Sequence, residues 1–277
     1  MNRPALHGLL LAGGRSRRMG RDKAELPLPD GTTLRERSIR LLEEVVDRVF
    51  LSTAPDDPRA GDPSSLPDLA PGRGPLAGLE AAFHHGPDRA WLVLACDLPL
   101  LDAETLAALT AARDPARAAT AFASRFDGRP EPLCAIYEPS AVPALQEFLA
   151  GDKRCARRFL ESLDPLLIPL PNRHALDNCN RPEDLAEATA LAATGPVSKR
   201  VTIEYFAQLR DQAGRQCEAR ETTAATAAGL WEEVRMSHQF PLDLDAVRTA
   251  VDDEIVPWTT AIHDGDRVAF LPPAPGG

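Results

Sequence analysis

The chain has 277 residues, of which 44% are hydrophobic and 26% charged, a balance typical of globular proteins and sufficient for two cores. Its net charge of −10 would repel a phosphate backbone, which excludes general nucleic-acid binding while leaving room for a local site for one nucleotide. No apolar run approaches the roughly eighteen residues of a membrane span, so no membrane partner is expected.

The opening segment Ala5 to Leu11 is a nearly continuous apolar run ending in Gly13-Gly14, the pattern of a strand buried on both faces of a parallel sheet. It runs into a glycine-rich motif rather than a cleavage site, so no signal peptide is expected. Thr33 and Glu36 have capping-box spacing ahead of Leu34, Leu41, Leu42 and Val45 at helical intervals, and Val49-Phe50-Leu51 then reads as a second strand. The alternation continues with a helix around Leu76 to Phe83, a strand Trp91 to Ala95 and a helix Ala103 to Ala112. This predicts a doubly wound α/β domain with ligands beyond the carboxyl ends of its strands, which makes the loops after Leu11, Leu51 and Ala95 site candidates.

The helical pattern decays near residue 192 into a small-residue, Gly-Pro stretch, so the expected organisation is a first domain over 1–193, a linker over 194–200 and a small mixed α/β domain over 201–277. In the latter, Val201 to Phe206, Ala246 to Val251 and Arg267 to Leu271 read as strands, Ala227 to Val234 as a helix, and Asp264-Gly265 as a turn. From Val201 onward six arginines face thirteen carboxylates, a balance suited to docking on basic partners. The five cysteines, Cys96, Cys134, Cys155, Cys179 and Cys217, are scattered without a C-x-x-C pair, which fits a reducing, cytoplasmic compartment.

The strongest chemical signal is Leu11-Ala12-Gly13-Gly14-Arg15-Ser16-Arg17-Arg18-Met19-Gly20-Arg21-Asp22-Lys23. Its glycines let the backbone approach a triphosphate, and Arg18 and Lys23 can neutralise charge on the phosphate oxygens. A second motif, Leu94-Ala95-Cys96-Asp97-Leu98-Pro99, puts a carboxylate at the end of a strand, where it can hold Mg2+ against nucleotide phosphates; Asp102 suits the cap of the next helix. Gly74-Pro75-Leu76-Ala77-Gly78 opens a helix, and its small residues serve either packing or a base contact. Asn178-Cys179-Asn180-Arg181-Pro182-Glu183-Asp184-Leu185 admits a capping box between Asn180 and Glu183 as well as a ligand role. Arg129 to Leu133 reads as a proline-rich loop, and His84-His85 as a structural helix end rather than a metal pair.

The first of these motifs matches throughout the signature of the MobA family of molybdenum cofactor guanylyltransferases, and the chain resembles that family from residue 6 to about 190. The resemblance implies a nucleotidyltransferase that joins GMP from GTP to the phosphate of molybdopterin and releases pyrophosphate. It places GTP at Leu11, Ala12, Gly13, Gly14, Lys23, Ser52, Asp68, Gly74, Pro75, Leu76 and Asp97, with Arg18, Lys23 and Asp97 catalytic. Mg2+ falls to Asp97 and Asn180, and the pterin side to the segment Arg129 to Leu133. Leu-Ala-Gly-Gly with Gly-Pro-Leu-Ala-Gly favours GTP over the CTP of cytidylyl relatives; those enzymes and the sugar-nucleotide transferases are the alternative.

Val201 to Arg210, His263 to Pro273 and the terminal Gly276-Gly277 resemble the MoaD family of sulfur carriers, which implies a β-grasp, ubiquitin-like fold. A Gly-Gly end can thread a narrow channel and present the Gly277 carboxylate for adenylation and thiocarboxylation. The implied partners are the catalytic subunit of molybdopterin synthase and an E1-like adenylating enzyme. An inert or regulatory ubiquitin-like module is the alternative.

Overall fold

The computed structural model describes residues 3–12, 23–28, 30–70, 72–125, 127–151, 153–179 and 181–273, with the backbone alone for Lys23 and Thr194. The chain divides into two compact units, Met1–Asn178 and Cys179–Gly277.

The first unit alternates strand and helix: β1 (Leu6–Leu11), α1 (Leu34–Glu43), β2 (Arg48–Thr53), β3 (Ser65–Pro67), α2 (Pro75–His85), β4 (Ala90–Ala95), α3 (Ala103–Ala112), β5 (Ala119–Ala123), β6 (Pro130–Tyr137), α4 (Val142–Ala150), α5 (Ala156–Ser162) and β7 (Leu166–Ile168). The strands form one seven-stranded sheet in the order β3-β2-β1-β4-β6-β5-β7. All neighbours are parallel except β6, which runs antiparallel to both β4 and β5. The segment Pro130 to Leu133, read from its prolines as a loop, is instead the start of β6. Pro130 and Pro132 are buried there, and the Pro132 carbonyl accepts from the Tyr137 hydroxyl at 3.0 Å.

The sheet is covered on both faces, and the strand period of two sorts its side chains between them. Leu10, Leu92, Leu94, Cys134 and Ile136 pack with Leu41, Leu42, Leu106 and Leu109 of α1 and α3. Their strand neighbours Leu9, Trp91, Val93, Ala135 and Tyr137 pack with Leu76, Leu79, Leu145 and Phe159 of α2, α4 and α5. Each fully buried leucine contributes about 1.5–3 kcal/mol of apolar transfer, which is why β1 and β4 read as unbroken apolar runs.

The helix starts follow their caps. Thr33 Oγ1 accepts from the Glu36 amide at 3.2 Å while Glu36 accepts from the Thr33 amide at 2.8 Å, the reciprocal box expected for α1. Asp102 caps α3 by accepting from the Thr105 amide at 2.8 Å.

The second unit comprises α6 (Pro182–Thr194), β8 (Lys199–Tyr205), α7 (Ala207–Ala213), β9 (Cys217–Thr222), α8 (Ala227–His238), β10 (Arg248–Val251), β11 (Glu254–Val256) and β12 (Arg267–Leu271). Its five-stranded sheet has the order β11-β10-β12-β8-β9, with the first and last strands, β8 and β12, paired in parallel. This is the β-grasp arrangement. Trp231 of α8 and Phe270 of β12 are both fully buried with ring centroids 4.9 Å apart, and Phe240 and Trp258 complete the aromatic cluster. The Asp264-Gly265 turn is present, with Gly265 at φ 89°, a conformation that favours glycine.

Helix α6 belongs with this second unit by compactness. Both Glu187 carboxylate oxygens accept backbone amides at the head of α8, Ala225 at 2.7 Å and Thr226 at 2.5 Å. The helix begins one residue later than the Asn180–Glu183 box would have it: Arg181 is the N-cap, and Asp184 accepts from its amide at 2.8 Å.

Candidate functional site

Four parallel strands, β3, β2, β1 and β4, end on one rim of the first sheet, where an open α/β sheet leaves a crevice for ligands. The register sets the neighbours along that rim. Leu11 of β1 lies opposite Ser52 of β2 on one side and Ala95 of β4 on the other, and Thr53 lies opposite Pro67 of β3. Four of the expected nucleotide residues, Leu11, Ala12, Ser52 and Asp68, therefore stand at adjacent strand ends, and Asp97 follows two residues beyond Ala95.

The most crowded point of the rim is Gly78 on α2. A methyl group placed there would sit 2.5 Å from Ser52 Oγ and 2.9 Å from Leu11 Cδ2. An added methyl would force the Ser52 and Leu11 side chains to shift, so glycine is what lets α2 lie this close to the ends of β1 and β2. Gly74, the N-cap of α2, has φ 60° and ψ −144°, again a backbone state that favours glycine. Pro75 then fills the first helical position, and with no side-chain acceptor on Gly74 the helix start carries no side-chain cap. Leu76 is 1% exposed, its side chain committed to the core.

Asp68 is held at the rim by its backbone and its side chain. Its amide donates to the Thr53 carbonyl at 2.9 Å, and Ser52 Oγ donates to Asp68 Oδ1 at 3.3 Å. Burial pushes its carboxyl above the ordinary value of 3.8, against the smaller pull of the Ser52 hydrogen bond. A half-buried carboxylate with so little compensation costs stability, and such groups concentrate at functional sites.

Asp97 is half-buried and follows the fully buried β4. The loop between it and α3 is anchored from two directions. Arg37 of α1 donates to the Leu101 carbonyl at 2.6 Å, and Asn172 donates to Asp102 Oδ2 at 2.9 Å. Gly13, Gly14, Arg18, Asn180 and Gly277 lie outside the described residues, and Lys23 is placed by backbone only, at the start of a short 3-10 turn Lys23–Glu25. Among the described residues no three His, Cys, Asp or Glu side chains come together as a metal cage. His84 and His85 end α2 as expected, and the His85 ring packs 4.9 Å from Phe50.

Sequence reading passed over a second polar group on the same unit. Arg125, after β5, makes a two-pronged ion pair with Asp177 at 2.7 and 2.9 Å, and His174 Nδ1 lies 2.8 Å from Asp177 Oδ2. His174 is buried. Local spacing gave no signal for this group because Arg125 stands 52 positions from Asp177. Among the described residues no helix is long and apolar enough to cross a membrane.

Comparison with known proteins agrees with this geometry. A family model described as the MobA-like NTP transferase domain matches residues 8–166, and the ThiS family model matches residues 203–277. A Mycobacterium avium protein named "Probable molybdenum cofactor guanylyltransferase" is 36% identical over 186 residues, covering 65% of this chain and 93% of that protein. A Synechocystis "Molybdenum cofactor biosynthesis bifunctional protein" is 32% identical over 188 residues, covering 66% of this chain and 53% of that protein's length, so the chain spans about half of it. The crystal structure of molybdopterin-guanine dinucleotide biosynthesis protein A from Archaeoglobus fulgidus aligns at 25% identity with a TM-score of 0.54, covering 68% of this chain and 98% of that one. The chain thus belongs to the MobA-like NTP transferase family and carries a ThiS/MoaD-like domain over residues 203–277.

Proposed function

We propose that the first unit transfers GMP from GTP to the phosphate of molybdopterin, within molybdenum cofactor biosynthesis in the cytoplasm. The observation that carries this reading is the convergence of Leu11, Ser52, Asp68 and Gly78 at the strand-end rim, beside the loop bearing Asp97. The close approach at Gly78 leaves a narrow floor under a base or ribose, and Ser52 and Asp68 offer polar partners there. The named guanylyltransferase relatives favour GTP as the nucleotide.

In this reaction a phosphate oxygen of the pterin attacks the α-phosphorus of GTP, the α–β bridging bond breaks, and pyrophosphate leaves with the electron pair. No covalent intermediate with the protein is required, so alignment and charge stabilisation supply the rate. The glycines at 13 and 14 would give the backbone access to the triphosphate, while Arg18 and Lys23 take up charge on the departing oxygens. Mg2+ commonly binds through one or two carboxylates with water and substrate phosphates filling its octahedron, a mode that needs no protein cage and fits a single half-buried Asp97, with Asn180 as a second oxygen donor. Bound there, it would neutralise phosphate charge as the leaving group forms.

We further propose that the second unit is a sulfur carrier. Its support is the ThiS family match together with the Gly276-Gly277 end. An E1-like enzyme joins the Gly277 carboxylate to the AMP of ATP and releases pyrophosphate; a sulfide-level nucleophile then attacks the acyl carbon and expels AMP, leaving a thiocarboxylate for the catalytic subunit of molybdopterin synthase.

Pyrophosphate release measured with purified molybdopterin and GTP, CTP or ATP in turn tests the first proposal. GTP should be preferred, and a preference for CTP would overturn the guanylyl assignment. Asp97→Ala should lower Mg-dependent turnover by about a hundredfold or more, and near-normal turnover would remove Asp97 from the mechanism. For the carrier, mass spectrometry after incubation with the adenylating enzyme and a sulfur donor should show a gain of about 16 Da, sulfur replacing oxygen. An unchanged mass beside a competent control carrier would favour an inert or regulatory module.

A further inference from the structure

Asn172, His174 and Asp177 lie on one short segment whose two ends are tied to residues outside it, Asn172 to Asp102 and Asp177 to Arg125. At one end Asn172 Nδ2 donates to Asp102 Oδ2 at 2.9 Å. In the middle the His174 amide donates to Asn172 Oδ1 at 3.0 Å, which fixes the amide so that its nitrogen faces Asp102. At the other end Asp177 accepts from His174 Nδ1 and from both prongs of Arg125, whose side chain is 12% exposed.

Asp102 matters because its two oxygens do different work. One caps α3 through the Thr105 amide, and the other is held by Asn172. Burial would raise its carboxyl, but the hydrogen bonds from Thr105 and Asn172, with Arg37 nearby, outweigh that and hold it below its ordinary value. The charged form is therefore the one the strap binds. A polar network this well satisfied fixes a geometry that an apolar contact would leave free to slide.

We propose that Arg125, Asp177, His174 and Asn172 form a positioning strap that fixes the Asp97–Asp102 loop, and so governs how tightly the first unit holds a metal–nucleotide complex. The strap touches neither substrate nor reacting atoms; it acts through the loop it holds. This inference rests on the reading of the first unit as a metal-dependent nucleotidyltransferase.

The test exploits the direction of one hydrogen bond in the full-length protein. Asn172→Asp replaces the donor with a second carboxylate facing Asp102, and adding Asp102→Asn restores a donor and acceptor with their direction reversed while keeping a good N-cap. Mn2+ binding in the presence of GTP is measured by electron paramagnetic resonance at a temperature where circular dichroism shows every variant folded, and kcat and KM are measured beside it. Asn172→Asp should weaken Mn2+ binding and kcat/KM by about tenfold or more, as loss of a group that orients ligands does, and the double variant should recover most of both. Mn2+ affinity within about twofold of wild type in Asn172→Asp, or a loss that the reversed pair leaves uncorrected, would overturn the strap. A role confined to stability would lower the melting temperature without moving Mn2+ affinity. If wild type binds Mn2+ with GTP yet transfers nothing to molybdopterin, the reaction assigned above fails while the strap is still judged on binding. Absence of GTP-dependent Mn2+ binding in wild type overturns both.

Discussion

At the scale of single residues, Gly78 and Asp68 carry opposite lessons about the rim. Gly78 is favoured by its surroundings, since a side chain there would push Ser52 and Leu11 out of place. Gly78→Ala should destabilise the first unit by about 1–3 kcal/mol, the usual range for overpacking a filled site, and should raise KM for GTP. Adding Ser52→Ala removes the nearest colliding atom but leaves Leu11 Cδ2, so denaturant melts should show partial recovery. Asp68 is tolerated despite its surroundings. Its carboxyl is raised by burial, so the folded state binds a proton more readily than the unfolded chain. The stabilisation from that proton is complete below about pH 3.8 and is lost as pH rises through the raised folded value. Asp68→Asn should therefore raise the melting temperature at pH 7, with the gain shrinking as the solution is acidified, and should reduce activity. A melting temperature unchanged at neutral pH would show that burial of Asp68 costs nothing.

At the scale of elements, polar ties between distant segments hold the layers in place. Arg113 closes α3 and meets Glu138 beyond β6 in a buried pair, side chains 3% and 1% exposed, with contacts of 2.5 and 3.0 Å. Arg113 Nη2, already on Glu138, also donates to the Pro4 carbonyl, and Arg3 donates to the carbonyls of Thr110 and Arg113. Removing one partner of a buried ion pair leaves an uncompensated charge, so Glu138→Ala should cost about 3–5 kcal/mol in urea unfolding, whereas replacing both partners with apolar residues should cost far less. The long elements were legible from the sequence because their apolar periods are strong: β1, α1, β4, α3 and β12 fall where the patterns put them. β3, β7 and β11 are three residues each, too short to show a period. β6 was masked by Pro130 and Pro132, residues that local propensity assigns to loops but that this strand accepts at its beginning.

For the whole molecule, the telling element is α6. By sequence it closes the transferase pattern, and a boundary at 193 with a linker over 194–200 followed from the small-residue stretch after it. By contact it sits in the second unit, where Glu187 receives two backbone amides of α8 and Arg181 pairs with Asp245 at 2.8 Å. We propose that α6 is part of the folding unit of the β-grasp domain. The fragment 179–277 should then be more stable to denaturant than the fragment 197–277, which keeps all of β8, by about 1.5–3 kcal/mol for the charge-assisted bonds lost. Equal stability of the two fragments would restore the later boundary.

The sequence by itself determined the two domains, the order of their main strands and helices, and the motifs at Leu11, Asp97 and Gly74, since each is written in residues close together along the chain. It determined the family as well, because a glycine-rich loop at the end of a buried strand is a local pattern. Only the tertiary structure decided that Gly78 packs against Ser52 and Leu11, that Ser52 holds Asp68, that α6 docks on α8, and that Asn172 and Asp177 meet Asp102 and Arg125. Those contacts join separate segments of the chain, and no period or spacing encodes which distant backbone or side chain will arrive beside a given residue once the layers have packed.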